Sequence, residues 1–113
     1  RQHILLTHGH LYHIELDGRK LSMAAENLGC TIAVHGHTHI QSIESFGGVT
    51  AINPGSPLRP RGKSYGGFAI LSIDNAIGRL QFYRLIRENN GSFSAAVHTV
   101  YPLPSFNPSS KIN

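Results

Sequence analysis

The sequence predicts an α/β fold: a short parallel β-α-β unit followed by antiparallel hairpins. Three observations carry this expectation. Two continuous apolar runs, Ile4-Leu5-Leu6-Thr7 and Thr31-Ile32-Ala33-Val34, have the composition of strands buried on both faces. Between them Leu21, Ala24, Ala25 and Leu28 recur at helical spacing, and a helix between two strands makes the crossover that parallel pairing needs. Beyond residue 39 the punctuation changes, and Gly47-Gly48 divides two apolar-rich runs as the turn of a hairpin does.

Taken in order, the chain opens in the approach to a strand, with no lead-in before His3-Ile4-Leu5-Leu6, and so reads as a domain entered in its middle. That strand delivers His8-Gly9-His10 to a loop. His13 follows among Leu11, Tyr12, Ile14 and Leu16, where a structural histidine is expected rather than a ligand. Asp17-Gly18 precedes the helix and Gly29 is placed to end it. Cys30 lies between helix and strand, the position of a buried thiol. The second strand runs into Val34-His35-Gly36-His37-Thr38-His39. Runs 40–46 and 49–52 then form a hairpin, followed by the stiff, basic loop Asn53-Pro54-Gly55-Ser56-Pro57-Leu58-Arg59-Pro60-Arg61-Gly62-Lys63. Strands are expected over 67–73 and 79–86, joined by Asp74-Asn75-Ala76-Ile77-Gly78, and over 93–101 after a turn at Asn90-Gly91-Ser92. The Pro, Ser and Asn content from Pro102 onward describes an unstructured tail, so residues 1–101 form the domain and 102–113 the tail.

Composition narrows the function classes. In 113 residues, 40% hydrophobic content suits a globular core. The net charge is +4, but the ten Lys and Arg are scattered rather than striped, which argues against a general nucleic-acid surface and fits an anionic substrate. The single cysteine rules out an internal disulfide framework and suits a reducing, cytoplasmic setting. No apolar run approaches the roughly 20 residues needed to span a membrane, so no membrane partner is expected.

The eight histidines exceed background, and their placement is informative. Imidazole is a common metal ligand that must be aimed, and alternate residues of an extended segment project to one side. His37 and His39 can therefore converge, while Gly36 lets the backbone leave the strand sharply. Parallel strands would bring 8–10 and 35–39 to the same sheet edge, beyond the carboxyl ends where α/β sheets form their sites.

Thr7-His8-Gly9-His10 after a strand, Gly36-His37-Thr38-His39 after the next, and Asn53-Pro54-Gly55-Ser56 after a hairpin together resemble the calcineurin-like metallophosphoesterase superfamily, in its branch of small bacterial and archaeal phosphodiesterases. The match runs from His3 to Ile73. The resemblance implies the C-terminal half of a four-layer α/β/β/α sandwich and a phosphodiesterase or phosphomonoesterase with a two-metal centre. Manganese is the first expectation for its two divalent ions, with iron, nickel, cobalt and zinc as alternatives. By the same resemblance His8 and His37 are ligands of one metal and His39 of the other, His10 is a catalytic helper facing the phosphate-ester substrate, and Arg59 and Arg61 are substrate-binding residues. His35 has no ligand role in the pattern and is expected to pack behind the loop.

The family's Asp-x-His, Gly-Asp and Gly-Asn-His or Gly-Asn-Cys motifs do not occur. The six carboxylates, Glu15, Asp17, Glu26, Glu44, Asp74 and Glu88, stand in none of them. Neutral imidazoles bring no negative charge, and two dications held about 3.5–4 Å apart need carboxylates. The chain is therefore expected to supply half a site, with the N-terminal half of the same domain as partner. A half-sandwich leaves a sheet face and edge uncovered, so self-pairing into a homo-oligomer or aggregation is expected. Two alternatives stand beside this reading. The first is a non-catalytic scaffold of the same fold, as in the vacuolar sorting subunit of retromer. The second is a single structural zinc held by His35, His37 and His39, which lacks the cysteine ligands such sites usually include.

Overall fold

The computed structural model of the protein describes residues 3–74 and 77–103. Its elements are β1 (Ile4–Leu6), a single 3-10 turn (His10–Tyr12), α1 (Arg19–Asn27), β2 (Ile32–Val34), β3 (Ser42–Phe46), β4 (Val49–Asn53), β5 (Gly67–Asp74), β6 (Ile77–Arg87) and β7 (Phe93–Leu103). The first sheet has the order β1-β2-β4-β3, with β1, β2 and β4 parallel and β3 antiparallel to β4. The second is an antiparallel sheet, β5-β6-β7.

The period of two along β2 decides how the layers stack. Ile32 and Val34 face the second sheet, where Ile52, Leu80, Phe82 and Leu103 close a core with Ile43, Ala69 and Leu71. Ala33 points the other way, onto Leu21 and Ala25 of α1 together with Ile14 and Val49. Helix, sheet and sheet are thus three layers; the outer face of the second sheet carries no helix among the described residues. Burial of a residue such as Leu21, fully enclosed, stabilises the fold by about 1.5–3 kcal/mol. At Gly67, where β5 starts beside β6, an added Cβ would collide with the carbonyl oxygen of Tyr83.

Several expectations are corrected. β1 is not buried on both faces: Ile4 is 44% and Leu6 76% exposed. They pair with Ile32 and Val34 and share their face, but β1 is the edge strand and the second sheet does not reach over it. Leu28 lies at the C-cap of α1 and is exposed, so the buried face is Leu21, Ser22 and Ala25. Gly29, at φ 74°, terminates the helix as expected. Cys30 is half-buried rather than enclosed. In the first hairpin Gly47 alone takes a positive φ, 59°.

β5 and β6 run longer than expected and leave only 75 and 76 between them, which lie outside the described residues. Pro102 and Leu103, expected to open a tail, belong to β7 instead. Leu103 is buried against the core, and Pro102 is tolerated because β7 is an edge strand. Residues 104–113 lie outside the described residues. No helix among the described residues is long and apolar enough to cross a membrane.

Candidate metal centre

Two loops leave the carboxyl ends of parallel neighbours and meet. Thr7 N–H donates to the Val34 carbonyl (3.0 Å) and Gly36 N–H to the His8 carbonyl (3.1 Å), so the strand ladder continues into both histidine segments. Gly9 adopts φ 103°, and its missing side chain leaves room for His35: a Cβ there would lie 3.3 Å from that of His35. The rings of His8 and His37 consequently stand 5.0 Å apart, His8 and His10 5.0 Å, and His10 and His37 6.4 Å, centroid to centroid. The Nδ1 atoms of His8 and His10 are 3.0 Å apart, so one donates and the other accepts.

The backbone at this point is strained. His37 has φ 72° and His39 φ 61°, left-handed values that histidine adopts infrequently. Thr38 N–H donates to the Gly36 carbonyl at 2.9 Å, which with the positive φ of His37 makes a γ-turn of the uncommon, strained kind. Such a conformation costs about 1–3 kcal/mol and persists only where its surroundings over-determine it. Asn53, fully buried at the end of β4, supplies that constraint. Its Nδ2 donates to the Gly36 carbonyl (3.1 Å) and to Thr38 Oγ1 (2.9 Å), while its Oδ1 accepts from Gly55 N–H (2.9 Å). The Asn-Pro-Gly-Ser motif therefore serves here as a clamp on the histidine turn.

Three imidazoles have definable partners. His39 Nδ1 lies 2.9 Å from the Arg59 carbonyl, which can only accept, so Nδ1 carries the proton and neutral His39 keeps its lone pair on Nε2. His37 Nε2 lies 2.7 Å from Glu15 Oε2. The Glu15 carboxyl is held below the usual carboxylate range, first by its own backbone N–H and then by the hydrogen bond from His37. His35 is 4% exposed and donates Nδ1–H to the Gly36 carbonyl at 3.2 Å, whereas its Nε2 is buried with no partner. Burial pushes its pKa down, partly opposed by the Gly36 hydrogen bond and by Glu44, so it is a neutral packing residue behind the loop, as expected.

The structure thus brings His8, His10 and His37 together and holds His39 separately against the 53–66 loop. Arg59 and Arg61 meet that histidine through their backbones, Arg61 N–H donating to the His39 carbonyl at 3.1 Å. Both residues are exposed, and neither guanidinium is paired with a carboxylate among the described residues. Glu15 is what sequence reasoning missed. It stands in no recognisable motif, and only the turn at His13–Leu16, anchored by buried Ile14, carries it to His37.

Neutral imidazoles with one nitrogen committed and the other free suit divalent transition-metal ions. The fit is one of donor chemistry. Among the described residues, no three His, Cys, Asp or Glu side chains are arranged to hold one ion by themselves.

Residues 1–76 match the model of the calcineurin-like phosphoesterase superfamily domain. The chain is similar to the Probable metallophosphoesterase YsnB of Bacillus subtilis, 39% identical over 71% of this chain and 47% of that protein. It is also similar to the Phosphodiesterase YfcE of Escherichia coli K12, 34% identical over 66% of this chain and 36% of that one. The chain thus spans about half the length of these relatives or less. Among solved structures, Vps29 of Entamoeba histolytica complexed with zinc superposes with a TM-score of 0.64 at 26% identity, over 84% of this chain and 53% of that one.

Proposed function

Because the chain belongs to the calcineurin-like phosphoesterase superfamily, we propose that it is the histidine-bearing part of a metal-dependent phosphoesterase acting on a phosphodiester or phosphomonoester. The observation that carries this reading is the junction of the two histidine loops, where a strained turn is clamped by Asn53 and the rings of His37 and His39 each commit one nitrogen to an acceptor. His8 and His37 are proposed ligands of one ion and His39 of the other, and the separate placement of His39 supports that division. Two divalent ions held there, with manganese the first candidate, would supply a water acidified toward neutral pH and positive charge for the phosphoryl oxygens.

His10, exposed and hydrogen-bonded to His8, is the proposed holder of a proton for the leaving oxygen. Arg59 and Arg61 add positive charge to the approach of an anionic substrate. The carboxylates that two dications require are proposed to come from the N-terminal half of the same domain, which would also cover β1.

A non-catalytic scaffold is the second reading. It is favoured by the lack of three converging donors among the described residues and by the likeness to Vps29.

Hydrolysis of bis(p-nitrophenyl) phosphate or of p-nitrophenyl phosphate by the gene product as the cell makes it separates the two. The phosphoesterase reading expects turnover with manganese, loss on chelation and recovery on adding the ion back. Absence of turnover with manganese, iron, nickel, cobalt and zinc alike leaves the scaffold.

A further inference from the structure

We propose that Glu15 is the positioning residue of this centre: by accepting the Nε2–H of His37, its carboxylate turns the ring so that the Nδ1 lone pair is the one offered to an ion. The inference rests on the phosphoesterase reading and adds a residue that reading does not contain. Metal-bound histidines commonly donate their second ring N–H to a carboxylate or a carbonyl, which fixes both orientation and basicity. Here the two partners are of both kinds. His37 donates Nε2–H to Glu15 at 2.7 Å, and His39 donates Nδ1–H to the Arg59 carbonyl at 2.9 Å. Two residues apart in one loop, the rings therefore keep opposite nitrogens free, Nδ1 at 37 and Nε2 at 39. That arrangement suits ions on two sides of the turn rather than one shared ion.

Glu15 is not explained by stability. Its side chain is 58% exposed and that of His37 31%, and a solvated pair of this kind holds a fold together weakly. Yet the geometry that delivers it is specific. His13 takes a left-handed φ of 51°, Leu16 N–H closes the turn on the His13 carbonyl at 3.1 Å, and Ile14, 5% exposed, pins the turn to the helix layer. The next residue is then Glu15, over the histidine loop.

The test uses the gene product as the cell makes it, labelled with 15N and titrated with zinc above the ordinary histidine pKa of about 6.5. Ring 15N shifts report which nitrogen of each histidine binds. The wild type is expected to bind zinc at His37 through Nδ1. Glu15→Ala is expected to weaken binding about 10–100-fold and to move coordination at His37 to the freed Nε2, with an unchanged melting temperature. Glu15→Gln keeps an acceptor oxygen and is expected to restore Nδ1 binding and most of the affinity, a rescue that loss of a merely structural contact would not show. Zinc bound through Nδ1 with equal affinity in Glu15→Ala overturns the role of Glu15 alone. Wild-type binding through Nε2, with Glu15 displaced, overturns it as well. No zinc at His8, His37 or His39 in the wild type overturns both this role and the phosphoesterase reading.

Discussion

Asn53→Ala is expected to lower the stability of the domain by about 2–4 kcal/mol, because it removes three hydrogen bonds at a fully buried position and leaves Gly55 N–H without its acceptor. Against a total of about 5–15 kcal/mol for a typical domain, that is a large share. The reason lies in the turn it holds. Gly36 and Thr38 flank the left-handed His37, and each receives one bond from the same amide. Without the amide the strained turn loses its external constraint, and the histidines should lose their alignment with it. Asn53→Asp should be no remedy, because either carboxylate oxygen in place of Nδ2 would face the Gly36 carbonyl. Denaturant titration of the three proteins checks this, and a loss below about 1 kcal/mol for the alanine variant would mean that the clamp contributes no more than an ordinary hydrogen bond.

The second large effect separates function from stability at a single residue. On the proposed reading, both His37→Gly and His37→Ala should reduce metal-dependent hydrolysis in the natural gene product by about three orders of magnitude or more, since a proposed ligand is gone and several kcal/mol of charge stabilisation go with it. Their stabilities should run against habit. Alanine normally exceeds glycine by about 0.5–1 kcal/mol in regular structure, but at φ 72° glycine carries no strain. The glycine variant should therefore melt above the alanine variant. The reverse order would show that the left-handed turn is not retained in solution.

How much of this was legible in the sequence differs from element to element, for physical reasons. The helix and β2 were readable because one face or both faces are buried by neighbours inside the chain, so periodicity and apolar run report the burial directly. β1 is as fully apolar as β2 but sits at the edge, and an apolar run records only that a strand is apolar, not what covers it. Leu28 fits the helical stripe by spacing yet falls after the last turn, where the chain has already left the buried face.

The histidine loops were legible as a motif because alternate residues and an internal glycine are local features. The devices that arrange them were not, since they depend on long-range contacts. Glu15 reaches His37 across 22 positions and Asn53 reaches Thr38 across 15. His98 is a further case. It is the extra residue at the bulge where β7 shifts register opposite Phe82 and Tyr83, and the shift lets its Nε2 reach Gln41 Oε1 at 2.7 Å. Gln41 in turn donates to the Tyr83 carbonyl at 3.1 Å, tying the exit of the histidine loop to the second sheet. Nothing in the alternation of residues 93–101 marks that position.

The most direct measurement of the central claim is anomalous scattering at the manganese edge from crystals of the gene product as the cell makes it, grown with manganese. The account predicts anomalous density against the ring nitrogens of His8 and His37, with Nδ1 the ligating atom of His37, and a second peak against Nε2 of His39. Hydrolysis of a phosphodiester by crystals with no anomalous density at these three histidines would contradict it.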